Sequence, residues 1–165
     1  CSGVWLGARA SSLRWKGDRA EGQMTPAVIT RGGGLVGQAL ALALDAHGLK
    51  SAVVDRAPAE ALLDASYDGR VSAVASASWR MLRAIGLGEA LDGKGCAIES
   101  IRVSDGLEPG GLDFEPGEDE GPLGIMFENK LLRSTLYEHC KAAGNVAMHL
   151  RVSAKHVDRG PGRVA

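Results

Sequence analysis

Cysteine is scarce in this chain and poorly placed for a framework. Cys1, Cys96 and Cys140 stand far apart, with no C-x-x-C pair. The four histidines, His47, His139, His149 and His156, show no ligand spacing either, so no metal site is expected. Both absences argue against a disulfide scaffold or a zinc module, and for a reduced, cytoplasmic compartment. Aromatic residues make up only 4% of the chain and lysines and arginines are scattered, so the stacking platforms and basic stripe of a nucleic-acid binder are missing. Long apolar runs are missing as well. The most apolar stretch, residues 35–44, is alanine-rich and far short of the roughly 20 residues that span a bilayer.

What is present is a balanced, core-forming composition: 45% hydrophobic residues and a net charge of −1 over 165 residues. That length suits one domain with a real core and leaves two cramped. Glycine is abundant, at 23 residues, about twice the usual share, and it falls at turns rather than in a repeat. Residues 1–23, "CSGVWLGARASSLRWKGDRAEGQ", sustain neither a helical nor a strand period and contain no signal-peptide core. Met24 opens a more regular sequence. The first 23 residues therefore read as a disordered or non-native leader, and 24–165 as the domain proper.

From residue 27 the pattern is legible. A short β-type run (27–30) meets a glycine turn (32–34). A helix over 35–47 follows, apolar on nearly every face and so expected to be buried between layers, and Gly48 ends it. "SAVVD" (51–55) is a second strand. Together these form a compact βαβ unit whose crossover should be right-handed. After a loop (56–68), a helix is expected over 76–85, with Ala77, Met81, Leu82 and Ile85 inward and Gly86 stopping it. "IESIRVSDG" (98–106) alternates like one half-exposed strand, and the acidic "EPGEDEGP" (115–122) reads as a solvated hairpin loop. A strand at 125–128 leads into a helix capped by Asn129 and running to residue 143, with Leu132, Leu136, Cys140 and Ala143 on one stripe. "VAMHL" (146–150) suits a third parallel strand. The fold class is thus α/β: a Rossmann-like βαβ domain with a parallel sheet and an inserted antiparallel region, truncated.

Gly32, Gly34 and Gly37 fit G-x-G-x-x-G. The first glycine permits the tight turn, the second lets backbone approach a pyrophosphate, and the third lets helix and strand pack closely. The helix N-terminus adds N–H donors and a positive dipole end. An acid should close the second strand about 20 positions on, to accept ribose hydroxyls, and Asp55 stands there. The pattern marks a dinucleotide site without choosing flavin or nicotinamide. An NAD(P)-binding dehydrogenase domain and a truncated remnant that binds nothing both stay open. The insertion after Asp55 follows the plan of flavin monooxygenases.

"GGGLVGQALALALDAHGLKSAVVDRAP", "DGRVSAVASASWRMLRAIGLGEAL", "IESIRVSDG" and "FENKLLRSTLYEH" together resemble the ubiquinone-biosynthesis hydroxylases of the 2-octaprenyl-6-methoxyphenyl hydroxylase type, relatives of p-hydroxybenzoate hydroxylase. The resemblance covers roughly residues 26–157. It implies an FAD-dependent aromatic hydroxylase that uses NAD(P)H and O₂ to hydroxylate a prenylated phenol, present here as an N-terminal fragment inactive alone. It also implies that the full-length protein associates peripherally with the inner membrane or with a ubiquinone-biosynthesis complex. By the same resemblance Gly32, Gly34 and Gly37 match the first FAD fingerprint and Asp55 its ribose-binding acid. Arg70 matches an arginine approaching the flavin, and Asn129 and Arg133 lie in a helix-start segment near the cofactor. Arg70 serves equally as a surface salt-bridge partner, and Asn129 as a plain helix cap. Two departures stand out. The family's two further FAD motifs do not occur, since "SDG" (104–106) and "YDG" (67–69) stand in other contexts. And Thr30 and Arg31 replace an apolar pair. A charge buried there without a partner would cost several kcal/mol; the alternative is a side chain that snorkels toward the phosphates.

Overall fold

The computed structural model describes residues 3–6, 26–63, 69–106, 110–118, 120–155, 157, 159–160 and 163–164. In chain order the elements are β1 (Gly3–Leu6), β2 (Val28–Arg31), α1 (Leu35–Ala46), β3 (Ser51–Val54), α2 (Ala59–Leu62), β4 (Val71–Ala75) and α3 (Ser76–Leu82). After α3 come α4 (Gly88–Leu91), β5 (Cys96–Ile98), β6 (Ile101–Val103), β7 (Leu112–Phe114), β8 (Gly124–Glu128), α5 (Asn129–Ala142), β9 (Val146–His149), β10 (Arg159–Gly160) and β11 (Arg163–Val164). The chain divides into two compact units, one of residues 1–64 with 133–165 and one of residues 65–132. Among the described residues no helix is long and apolar enough to cross a membrane.

The first unit is built on a four-stranded sheet in the order β1-β2-β3-β9. β2, β3 and β9 run parallel, with Val28 opposite Ser51 and Ser51 opposite Val146, while β1 adds antiparallel to the outer edge of β2. The βαβ unit and the third parallel strand lie where the sequence places them. β1 is a difference, because the sequence reading expects no regular element in the leader; residues 7–23 of that leader lie outside the described residues. β3 has a neighbour on each side, and Ser51, Ala52 and Val53 are all buried, as central parallel strands require. α1 presents Gly37, Gln38, Ala41 and Leu42 as its buried face, a helical i, i+4 spacing. It is not buried all round: Val36 is 72% exposed, so the apolar sequence of α1 overstates its cover. The stripe on α5 is as expected at Leu132, Leu136 and Cys140, all buried.

In the second unit the inserted region is antiparallel, as expected. β8 is the central strand of the sheet β4-β8-β5 and β6 pairs with β7. Its core is Trp79, Leu82, Leu87, Leu91 and Phe127. The Trp79 and Phe127 rings lie 5.5 Å apart and tilted by 47°, a geometry that adds about 0.5–1.5 kcal/mol beyond area burial. This corrects the expected helix face in part: Leu82 is buried as expected, whereas Ala77 and Met81 are exposed and Ile85 is half-buried. The chain kinks at Ile85 and Gly86, as the glycine suggests, but then continues directly into α4. The single strand expected over 98–106 is two strands, and β7 adds a third that pairs with β6. On the β6–β7 hairpin Arg102 holds Asp113 through two hydrogen bonds, of 2.6 and 2.8 Å. Both groups are exposed, so the pair stabilises little.

Candidate functional site

The glycine turn starts from strand chemistry. Alternation along β2 buries Val28 and Thr30 and turns Arg31 outward, at the strand's carboxyl end. Gly32 then takes φ of +114°, a conformation that L side chains rarely adopt, and its N–H donates to the Val54 carbonyl at 2.9 Å. Gly37 answers a different need. A Cβ there would stand 2.0 Å from the Gly32 carbonyl oxygen, so only glycine lets α1 pack this close to the turn. At Gly34 an added Cβ would meet nothing within 4 Å. Gly34 is the N-cap of α1 and supplies no side-chain cap, and the first helical turn contains no acid. The leading N–H groups of α1 and its positive dipole end are therefore left for an anion.

Asp55 follows β3 and ties the site together. Its Oδ2 accepts the Gly33 N–H at 2.5 Å and its Oδ1 accepts the Ala57 N–H at 2.7 Å. Its own N–H donates to the His149 carbonyl and its carbonyl accepts from Val152, both at 2.9 Å. Two backbone N–H groups thus fix the carboxylate and two backbone hydrogen bonds fix the main chain of Asp55, while each carboxylate oxygen still retains a lone pair. Burial holds the His149 imidazole below its ordinary pKa. Gln38, which the glycine fingerprint does not mark, is fully buried, and its Nε2 donates to the Gly33 carbonyl at 2.5 Å. Its Oε1 finds no hydrogen-bond partner among the described residues. The available signal was a single amide inside an apolar helix, on the same face as Gly37.

A cleft of about 380 Å³ opens at the carboxyl ends of β2 and β3, where open α/β sheets place ligands. Arg31, Gly32, Val54, Asp55 and Arg56 line it, with Val152 and Ala154 completing the wall. Arg31 is exposed, which removes the buried-charge alternative raised by the sequence. Next to the wall residue Val152, Arg151 takes a φ of +61°, unusual for a residue with a side chain. Its guanidinium bonds Glu60 at 3.1 and 3.2 Å.

Of the residues singled out from sequence, Gly32, Gly34, Gly37 and Asp55 come together in the first unit. Arg70 and Asn129 come together in the second. The Asn129 N–H donates to the Arg70 carbonyl at 3.1 Å, and the Asn129 Oδ1 accepts the Ser72 hydroxyl. Asn129 is the first residue of α5, and its side chain is engaged with β4. Arg70 is exposed and Arg133, on α5, is half-buried.

No family model matches the chain. It is 48% identical over 109 residues to ubiquinone hydroxylase UbiL of Rhodospirillum rubrum, covering 66% of this chain and 25% of that protein. It is 33% identical over 121 residues to 3-demethoxyubiquinol 3-hydroxylase of Escherichia coli, covering 72% of this chain and 31% of the relative. The chain thus spans about a quarter to a third of the length of these relatives. Among solved structures, the flavin-dependent monooxygenase PieE, solved with FAD and substrate, superposes with a TM-score of 0.58 at 16% identity, over 80% of this chain and 24% of that one. That likeness is one of fold.

Proposed function

The chain belongs to the ubiquinone-biosynthesis hydroxylase family, and from that premise we propose that it forms the part of an aromatic hydroxylase that holds the ADP half of FAD. The observation that carries this reading is the glycine turn locked by Asp55 above an uncapped helix N-terminus. FAD would bring two-electron chemistry and the activation of O₂. The protein's part is placement. The α1 N-terminus would face the pyrophosphate, Gly32 and Gly34 would keep side chains out of its way, and Asp55 would offer its remaining lone pairs to the ribose hydroxyls. Arg70, Asn129 and Arg133 are proposed as further cofactor contacts, Arg70 offering a planar donor fork to phosphate or ribityl oxygens. The whole protein would take NAD(P)H, O₂ and a prenylated phenol. A prenyl tail partitions into lipid, which favours a cytoplasmic protein peripheral to the inner membrane. The antiparallel sheet inserted in sequence between the parallel strands β3 and β9 favours this reading over a nicotinamide dehydrogenase.

The test is equilibrium titration of the 165-residue chain with FAD and with ADP. Binding of both is expected, and Asp55→Ala should weaken it by roughly 1–3 kcal/mol, the scale of lost charge-assisted hydrogen bonds. A parent chain that binds neither ligand, or a variant that binds like the parent, would count against the assignment.

A further inference from the structure

We infer that Arg31, a residue outside the glycine fingerprint, is a phosphate-binding residue of the cleft. The inference rests on the ADP-site reading above and adds to it a charge that the glycine turn does not need. Three observations lead there. Strand alternation sends Arg31 outward at the carboxyl end of β2, one residue before the Gly32 turn, and Arg31 lines the cleft together with Arg56. Neither arginine makes an ion pair with a described residue. The carboxylate that shares the cleft, Asp55, is already taken up by the N–H groups of Gly33 and Ala57, at 2.5 and 2.7 Å. Two arginines therefore line the cleft against one aspartate whose carboxylate charge is spread over backbone donors. An uncharged ligand would leave that excess unanswered. A diphosphate beside Gly32 answers it, and a guanidinium fork matches phosphate oxygens in pairs.

Arg31 is at the end of an element rather than inside one, so replacing it tests charge with little change in packing. The 165-residue chain and its Arg31→Val and Arg31→Lys variants would be titrated with ADP and with adenosine at several salt concentrations, after thermal melts show that each variant is folded. The parent is expected to prefer ADP over adenosine, more so at low salt. Arg31→Val should weaken ADP binding by roughly tenfold or more, the scale of a charge-assisted hydrogen bond. It should also flatten the salt dependence and leave adenosine binding unchanged. Arg31→Lys, which keeps the charge and loses the fork, should fall between. ADP affinity and salt slope unchanged in Arg31→Val would overturn the inference while leaving the ADP site intact. Equal losses for ADP and adenosine would overturn it too, marking Arg31 as structural. A parent that binds none of these ligands removes the site reading itself, and the inference with it.

Discussion

A methyl group at Gly37 would stand 2.0 Å from the Gly32 carbonyl oxygen and 3.1 Å from Thr30 Cγ2, while one at Gly34 would touch nothing. The two glycines look alike in the motif but answer to different physics. Gly37→Ala must push α1 away from the turn, a strain of about 1–3 kcal/mol on the scale of overpacked cores. The melting temperature should fall and ADP affinity with it, whereas Gly34→Ala should melt like the parent. Matching melts for the two variants would show that the close approach at Gly37 is not as described. Spacing alone marks Gly32, Gly34, Gly37 and Asp55, because a turn, a close approach and an acid at the end of the second strand each restrict residue type. Spacing could not reveal that Asp55 also clamps the Gly33 N–H, nor that Gln38 holds the Gly33 carbonyl. Both contacts depend on chain segments brought together only by folding. Whether Arg31 was buried or exposed was likewise undecidable from composition, since it turns on which strand residue faces the core.

At the scale of elements, α5 was legible because its stripe has one clear phase, with Leu132, Leu136 and Cys140 all buried. α3 was not. Its sequence offers two competing faces, and the choice went to Trp79, which finds Phe127 on β8, far away in the chain. The alternation over 98–106 does not bury its apolar members for a related reason: on the β6–β7 hairpin Ile101 and Val103, with Phe114 and Leu112 opposite them, are exposed. The α5 stripe also carries a pH dependence. Burial, and secondarily the charge of Asp45, raise the Cys140 thiol from 9.0 to about 12. The thiol contacts the Gln38 carbonyl at 3.5 Å and stays protonated in the fold. Between those two values the unfolded chain releases a proton that the folded chain keeps, so stability should fall as pH rises from about 9 towards 12. Denaturant unfolding across that range should show the decline, and Cys140→Ala should lessen its slope after allowing for the cavity. An equally steep decline in the variant would place the alkaline sensitivity elsewhere.

For the molecule as a whole, the parts to which a role is proposed would serve one half of a cofactor. The first unit carries the turn, Asp55 and the cleft, and the chain spans 25% and 31% of two relatives that are hydroxylases. Aromatic hydroxylation requires the reacting ring to be held in a site closed to water, and the first unit's cleft is walled by arginines, glycine and short side chains. The second unit exposes apolar side chains on its strands, among them Val71, Val103, Leu112 and Phe114, at 55%, 53%, 59% and 46%. An isolated chain with such strands should associate through them. We therefore expect the 165 residues to bind FAD or ADP weakly, to self-associate as concentration rises, and not to turn over. The measurement combines the purified chain with FAD, NADH or NADPH and a prenylphenol analogue, following reduced-nicotinamide oxidation and hydroxylated product, with sedimentation as the readout of association. Replacing Val103 and Phe114 with threonine and serine should reduce association and leave ADP binding unchanged, because neither residue lines the cleft. Sustained, substrate-dependent turnover would show that these residues build a complete flavin pocket, and that the division of labour drawn between turn, cleft and exposed strands is mistaken.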